Sequence, residues 1–511
     1  MAPPPHNSRN ASLITGSPWC VILAFSVPLI IGNVVQQLYQ VADAIVVGRH
    51  LGVDALAAVG ATGSLMFLLI GFSWGLTSGF AIPTAQAFGA GDAAGVRRSV
   101  ATGTLLAAIG GLVLTVAAPL LARPALVLLQ TPPELLDDAT LFAQVSFLGA
   151  GATMAFNYLA AIIRAIGDSR TPLIFLVLSC VLNVALVLLM VGGLDWGVGG
   201  AALATIVSQA VSVLLCLAFL RRRLPVLHLT RVDWRVTRAD IAAHLRLGAP
   251  MGFQASIIAI GTLVVQVALN RLGADAVAAY TTASRVDGLA VALMSSLGLA
   301  ASMYAAQNLG ARRPDRIRRG VVQAVWIAVA AGAVMGVVLI AFGPQLVRLF
   351  VGDGADAVVD LAALMLIVNG ATYWALGVLF VLRGALQGLG HALIPTVTGV
   401  VELAMRVGAA IVLGAAVGFI GVAWSNPLAW LGGMIILIPA YIHAHRALRR
   451  MPVCASGPTL TTPVAVLGPT EGSGVVDAVI TQPVVTADTA GDTKFIARRR
   501  RAERNRGRIR V

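Results

Sequence analysis

Asn33, Gln36, Gln40 and Asp43 follow steps of three, four and three through an otherwise apolar segment. A helix lines such a set along one stripe. A carboxylate inside an apolar span is costly, and one that persists there typically serves a cation or a proton. Asp43 is the one acid of the stripe, which makes it the first candidate for coupling chemistry. Tyr39 stands one turn before Asp43 and is placed to donate to its carboxylate. Pro28, below the stripe, removes a backbone hydrogen bond and is expected to bend or loosen the helix. The three amides also have a plainer reading, as hydrogen-bonding glue between helices.

The second half of the chain has no counterpart of Asp43; Val264 and Val265 occupy the aligned positions, and Gln254, Gln266 and Asn270 are the polar groups nearby. Its ionisable groups lie elsewhere, with Arg285 and Asp287 in one apolar segment and Glu402 and Arg406 in another. Glu402 and Arg406 are four residues apart in the favourable acid-first order, so they are expected to neutralise each other as a structural pair. Asn33, Gln36, Tyr39, Gln40, Asp287 and Glu402 are the residues expected to line a cavity. Pro28, Arg285 and Arg406 are expected to act as hinge or pairing residues. Cys20, Cys180, Cys216 and Cys454 have neither metal-site nor disulfide spacing and read as packing residues. No metal-ligand cluster, nucleophile–base set or strand-borne phosphate loop is present, which argues against an enzyme and against a cofactor.

The elements that carry these residues follow from composition. The chain is 58% hydrophobic and 11% charged, with a mean hydropathy of +0.88. Apolar segments long enough to cross a bilayer recur at 19–46, 56–86, 99–122, 136–163, 173–191, 198–220, 243–269, 276–307, 320–343, 357–386, 394–414 and 419–443. The expected fold is an all-α polytopic membrane protein with twelve transmembrane helices. Alternate connections collect arginines, among them Arg97, Arg98, Arg164, Arg170, Arg221 to Arg223, Arg312, Arg313, Arg316, Arg318, Arg319 and Arg383. The positive-inside rule puts these connections and both termini in the cytoplasm, with the spans in the inner membrane. The net charge of +14 is then mainly a topology signal, and no nucleic-acid partner is expected.

Repetition divides the chain. Arg49-His50-Leu51-Gly52-Val53-Asp54-Ala55-Leu56-Ala57-Ala58 returns roughly 221 residues later as Asn270-Arg271-Leu272-Gly273-Ala274-Asp275-Ala276-Val277-Ala278-Ala279. Gln86-Ala87-Phe88-Gly89-Ala90 returns as Gln307-Asn308-Leu309-Gly310-Ala311, and Arg164-Ala165-Ile166-Gly167 finds a partner in Gln387-Gly388-Leu389-Gly390. Six spans per half is an even number, so the halves are parallel repeats with a substrate site expected between them. The expected divisions are a cytoplasmic N-terminus at 1–17, an N-lobe at 18–220, a cytoplasmic linker at 221–241, a C-lobe at 242–445 and a disordered basic cytoplasmic tail at 446–511. The N-terminus lacks the features of a secretory leader, and the first span is expected to be an uncleaved anchor. Trp234 reads as an interfacial anchor of the linker, and the Arg-rich end of the tail either binds anionic lipid or is simply solvated.

Several of these stretches resemble the multidrug and toxic compound extrusion (MATE) transporters, over about residues 18–445. The resemblance runs through Gln37-Leu38-Tyr39-Gln40-Val41-Ala42-Asp43, Leu51 to Gly60, Ile163 to Asp168 with Pro172, Gly197 to Ala202 and Ala306 to Ala311. It implies export of small organic, often cationic, compounds in exchange for inward-moving H⁺ or Na⁺. It further implies a cation-coupling set in which Asp43 matches a first-span Asp, Asn157 a fourth-span Asn, Asn183 a fifth-span Asn and Thr205 a sixth-span Thr. The pattern departs at Val187, where a second carboxylate would stand. A proton needs only one carboxylate, so H⁺ is the expected coupling ion, with Na⁺ at Asp43 as the alternative. A lipid-linked oligosaccharide flippase of the same superfamily is the rival function; Arg285 and Arg406 suit it, whereas Asp43, Asp287 and Glu402 do not. A monomer surrounded by membrane lipids is expected.

Overall fold

The computed structural model describes residues 13–451 apart from 352–354. The expected disordered tail beyond residue 451, with its basic end and Cys454, therefore lies outside the described residues, as do residues 1–12 of the N-terminus. In the first half the helices are α1 (Pro18–Ala61), α2 (Gly63–Gly89), α3 (Ala93–Leu128), α4 (Pro133–Leu148), α5 (Ala150–Ala165), α6 (Arg170–Val187) and α7 (Gly197–Arg223). The second half holds α8 (Arg238–Asn270), α9 (Ala274–Gly310), α10 (Pro314–Val351), α11 (Asp356–Gly370), α12 (Tyr373–Gly388), α13 (Leu393–Gly408), α14 (Gly414–Val417), α15 (Phe419–Ala423) and α16 (Ser425–Arg450). π-helical turns at Leu188–Gly193 and Ala409–Leu413 extend α6 and α13. The protein is an all-helical, multi-pass membrane protein.

Among the described residues, ten helices are long and apolar enough to cross a bilayer alone, and two bent pairs, each taken as one span, bring the candidates to twelve. The segments expected at 136–163 and 357–386 are these pairs, α4 with α5 (47°) and α11 with α12 (51°). The first breaks at Gly149, where a Cβ would fall 2.4 Å from Ile206 Cγ1 of α7. The second breaks after Gly370, a repeat-related position, where Thr372 turns its hydroxyl back onto the Val368 and Asn369 carbonyls. Conversely, α1 runs through Pro28 with helical backbone angles; its one non-helical residue is Gly52 (φ 90°).

Repeated glycines fall where the chain must turn with positive φ. Gly52 and Gly273 have φ of 90° and 100°, Gly167 and Gly390 of 94° and 91°, and Gly197 and Gly418 of 59° and 67°. Only glycine takes these angles without steric cost, so the repeated motifs mark turns as much as sites. Helix starts at the N-terminal end of the bundle are closed by side chains. Asp92 accepts from Gly95 N at 2.8 Å, Asp168 from Arg170 N and Thr171 N at 2.9 and 3.0 Å, and Thr237 forms a reciprocal box with Asp240. In the linker, the Thr230 hydroxyl and backbone N–H, with Arg97 3.5 Å away, hold the Asp233 carboxyl below its ordinary range. This contact docks the linker on α3 of the N-lobe.

Lipid supplies no hydrophobic drive for helix–helix contact, so close packing through small residues takes that role. The two lobes meet mainly along α2 and α8. A Cβ on Gly75 would lie 2.4 Å from the Met251 carbonyl oxygen, and one on Gly79 2.5 Å from Gly248 Cα. At the opposite end of α2, Gly63 has nothing within 4 Å. Inside the C-lobe, a Cβ on Gly384 of α12 would fall 2.0 Å from the Gly298 carbonyl oxygen of α9. Gly384→Ala is expected to destabilise the lobe by roughly 1–3 kcal/mol through overpacking. Thermal unfolding in detergent, with Gly63→Ala as a nearly neutral control, checks this.

Candidate functional site

The C-terminal half of α1 lies against α6 and α7 on an apolar patch of Val46, Val47, Val187, Val191, Val198, Ala201 and Ala204. Beside this patch, Asn183 Nδ2 donates to Thr205 Oγ1 at 3.0 Å, and Tyr39 Oη lies 3.3 Å from the same oxygen. The Thr205 hydroxyl also reaches the Ala201 carbonyl at 3.3 Å, as helical threonines commonly arrange. Tyr39 thus pairs with the Thr205 hydroxyl rather than with Asp43, either hydroxyl being able to donate. Asp43 is left half-buried, with Oδ1 fully covered and without a donor; Asn183 Oδ1 is in the same condition. Two covered acceptors without donors, on adjoining helices, can take a proton or a small cation.

Asn157 is half-buried on α5 and takes no part in these bonds. One turn earlier, Thr153 Oγ1 donates to Gln209 Oε1 of α7 at 2.5 Å, a polar link that no span pattern pointed to. The amide stripe divides. Asn33 crosses to the C-lobe, donating to Ser296 Oγ at 2.9 Å and the Ala292 carbonyl at 3.3 Å, whereas Gln36 and Gln40 are exposed. Asn33 is thus the inter-lobe glue that its amide allows.

In the C-lobe, Asp287 of α9 is buried, and its Oδ1 accepts from Tyr373 Oη and from Asn369 Nδ2 (3.3 Å) on either side of the α11–α12 break. Arg285, two residues away, points to the other side, is exposed and joins no ion pair among the described residues. The pair expected between Glu402 and Arg406 is not formed. Glu402 is bound instead by Arg383 of α12, and both are buried. With the Gln254 amide turned to face the guanidinium, its oxygen also accepts from Arg383 Nε at 2.8 Å and Nη1 at 3.2 Å. Glycines decide the partners: Glu402 Oε1 fills the space over Gly433 of α16, while the Arg406 side chain lies over Gly261 of α8. The two residues share one helix but enter different gaps. Arg383, counted among the loop arginines by sequence, is an interior residue of α12. Arg406 Nε is covered and has no hydrogen-bond partner.

The comparisons with known proteins agree with this architecture. The MatE family description matches residues 28–189 and 250–412. The chain is 29% identical over 391 residues to the probable multidrug resistance protein YoeA of Bacillus subtilis, covering 75% of this chain and 84% of YoeA. It is also 29% identical over 381 residues to the probable multidrug resistance protein NorM of Bradyrhizobium diazoefficiens, covering 72% and 80%. Among solved structures, a MOP superfamily transporter from Pyrococcus furiosus superposes with a TM-score of 0.80 at 24% identity, covering 87% of this chain and all of that one. That likeness carries the fold, two six-span lobes.

The Arg383–Glu402 assignment gives a direct test. Arg383→Met and Glu402→Gln should each destabilise the protein by about 3–5 kcal/mol, because each strands a buried polar or charged group. The Arg383→Met/Glu402→Leu double variant should recover much of that loss, and Arg406→Gln should cost little. A double-mutant cycle on thermal unfolding reads all of these. The family description spans most of both lobes and the glycine turns recur in register: the chain belongs to the MatE family of membrane transporters.

Proposed function

We propose that this protein exports small organic, often cationic, compounds from the cell by antiport with H⁺, with Asp43 as the proton carrier. The observation that carries the reading is the covered, donorless Asp43 Oδ1 beside the Asn183–Thr205–Tyr39 cluster. A proton on Asp43 supplies the missing donor and discharges the residue in one step. The charge count supports H⁺ over Na⁺. Val187, where a second carboxylate would stand, is fully buried among Val46, Val47, Val191 and Val198, so a cation here would meet one formal negative charge. The relatives' designations as multidrug resistance proteins support the substrate class.

In the proposed cycle, both termini lie in the cytoplasm of a cell-membrane protein, as the arginine distribution favours. The α2–α8 seam joins the lobes in the half of α2 nearer that end, which supports an outward-facing conformation. Asp43, deprotonated, shares the cavity with a cationic substrate; protonation from outside discharges it, the substrate leaves, and the lobes rock inward. One charge moved across 100 mV supplies about 2.3 kcal/mol. A second reading, in which the substrate also carries an anionic group, is favoured by the partnerless Arg406 Nε in the C-lobe.

Asp43→Asn is expected to abolish driven export while leaving folding near normal, because the amide is isosteric and needs no charge compensation. Drug accumulation in cells lacking other pumps measures this, and a wild-type rate in the variant refutes the assignment. Purified protein in liposomes should follow an imposed pH gradient, with transport falling as the gradient is collapsed. Transport that persists at equal pH on a Na⁺ gradient would replace H⁺ with Na⁺.

A further inference from the structure

The repeated Gln-x-x-Gly motif is not used by the coupling site, yet its two copies face each other. Gln86 at the end of α2 donates from Nε2 to the Gly388 carbonyl of α12 at 3.1 Å. Gln307 at the end of α9 donates from Nε2 to the Ala165 carbonyl of α5 at 2.7 Å. Gly388 and Ala165 are themselves repeat partners, and each is the last residue of its helix. Carbonyls at a helix C-terminus have no intrahelical donor, so each lobe caps an orphan group of the other. The glycines complete the reciprocity: a Cβ on Gly89 would lie 1.9 Å from the Gln307 carbonyl oxygen, and one on Gly310 1.9 Å from that of Gln86.

One copy carries an addition. Gln307 is fully buried and its Oε1 accepts from Leu13 N at 3.2 Å, while Asn308 donates to the Leu13 carbonyl at 3.2 Å. Arg316 reaches the Gly16 and Thr15 carbonyls at 2.8 and 3.2 Å. The segment ahead of α1 is thereby strapped across the C-lobe.

We propose that Gln86 and Gln307 are paired gating residues that hold the cytoplasmic end of the transporter shut, with the Leu13–Gly16 strap as a lock on the Gln307 side. The proposal rests on the alternating-access reading above. Neutral amide–carbonyl bonds suit a gate that must reopen every cycle. Water replaces both partners when the lobes part, so each bond biases the equilibrium without stranding a charge. The strap makes the gate asymmetric, since opening there must also uncover Leu13.

Spin labels at Ala94→Cys and Arg312→Cys, exposed residues of opposite lobes at this end, report its opening in a background freed of native cysteines. Distances are recorded in lipid nanodiscs by double electron–electron resonance, without substrate or ion gradient. Gln86→Leu and Gln307→Leu should each raise the ratio of long to short distances by about fivefold, and the double variant by about the product. Deleting residues 1–16 should act in the same direction. If the leucine variants fail to fold, Gly89→Ala, which keeps both glutamines and pushes the Gln307 carbonyl away, should produce the same shift. Unchanged distances in the folded double variant and in Gly89→Ala would overturn the proposal. Because no transport is measured, an error in the Asp43 assignment would leave this result untouched.

Discussion

A charge inside a low-dielectric bilayer must be neutralised by a partner, or its cost must be justified by a function, and that constraint sorts the polar residues of this protein. Glu402 and Arg383 neutralise each other inside the C-lobe, with Gln254 positioned to satisfy the guanidinium further. Asp287 receives two hydrogen bonds at the break between α11 and α12. Asp43 has one covered oxygen without any donor. In the C-lobe, Arg406 Nε is likewise covered and without a hydrogen-bond partner.

Close approach of helices is the second organising constraint. Apolar side chains gain nothing by leaving lipid for another helix, so backbone contact through glycine takes over. Gly75 and Gly79 set the depth of the α2–α8 seam, and Gly89 and Gly310 do the same where α2 meets α9. Glu402 lies over Gly433 of α16 and Arg406 over Gly261 of α8, so the two side chains occupy different gaps. Packing space, rather than helical spacing, settled which charges meet.

The span count and the two-lobe repeat were legible because each depends on local information. Hydropathy needs only a window of about twenty residues, and a repeat needs only comparison of the chain with itself. Gly52 with Gly273 and Gly167 with Gly390 stood in repeated motifs, whereas their positive φ, and that of Gly197 with Gly418, was set by the turns of the folded chain. Asp43 stood out because an acid in an apolar helix is conspicuous without any knowledge of its neighbours. Thr153 and Gln209 did not stand out, since Thr and Gln are ordinary in a span until their contact is seen.

By itself the sequence determined an all-helical membrane transporter built from two parallel six-span halves, with one lone acid in its first span. Only the tertiary structure decided that Arg383 neutralises Glu402, that Tyr39 serves Thr205, that α4–α5 and α11–α12 are bent, and that Gln86 and Gln307 cap each other's lobes. The physical reason is range. Burial and helical period are properties of a segment, whereas a hydrogen bond or ion pair between spans depends on rotation and depth of helices that may lie far apart in the chain. Nothing within one span specifies either.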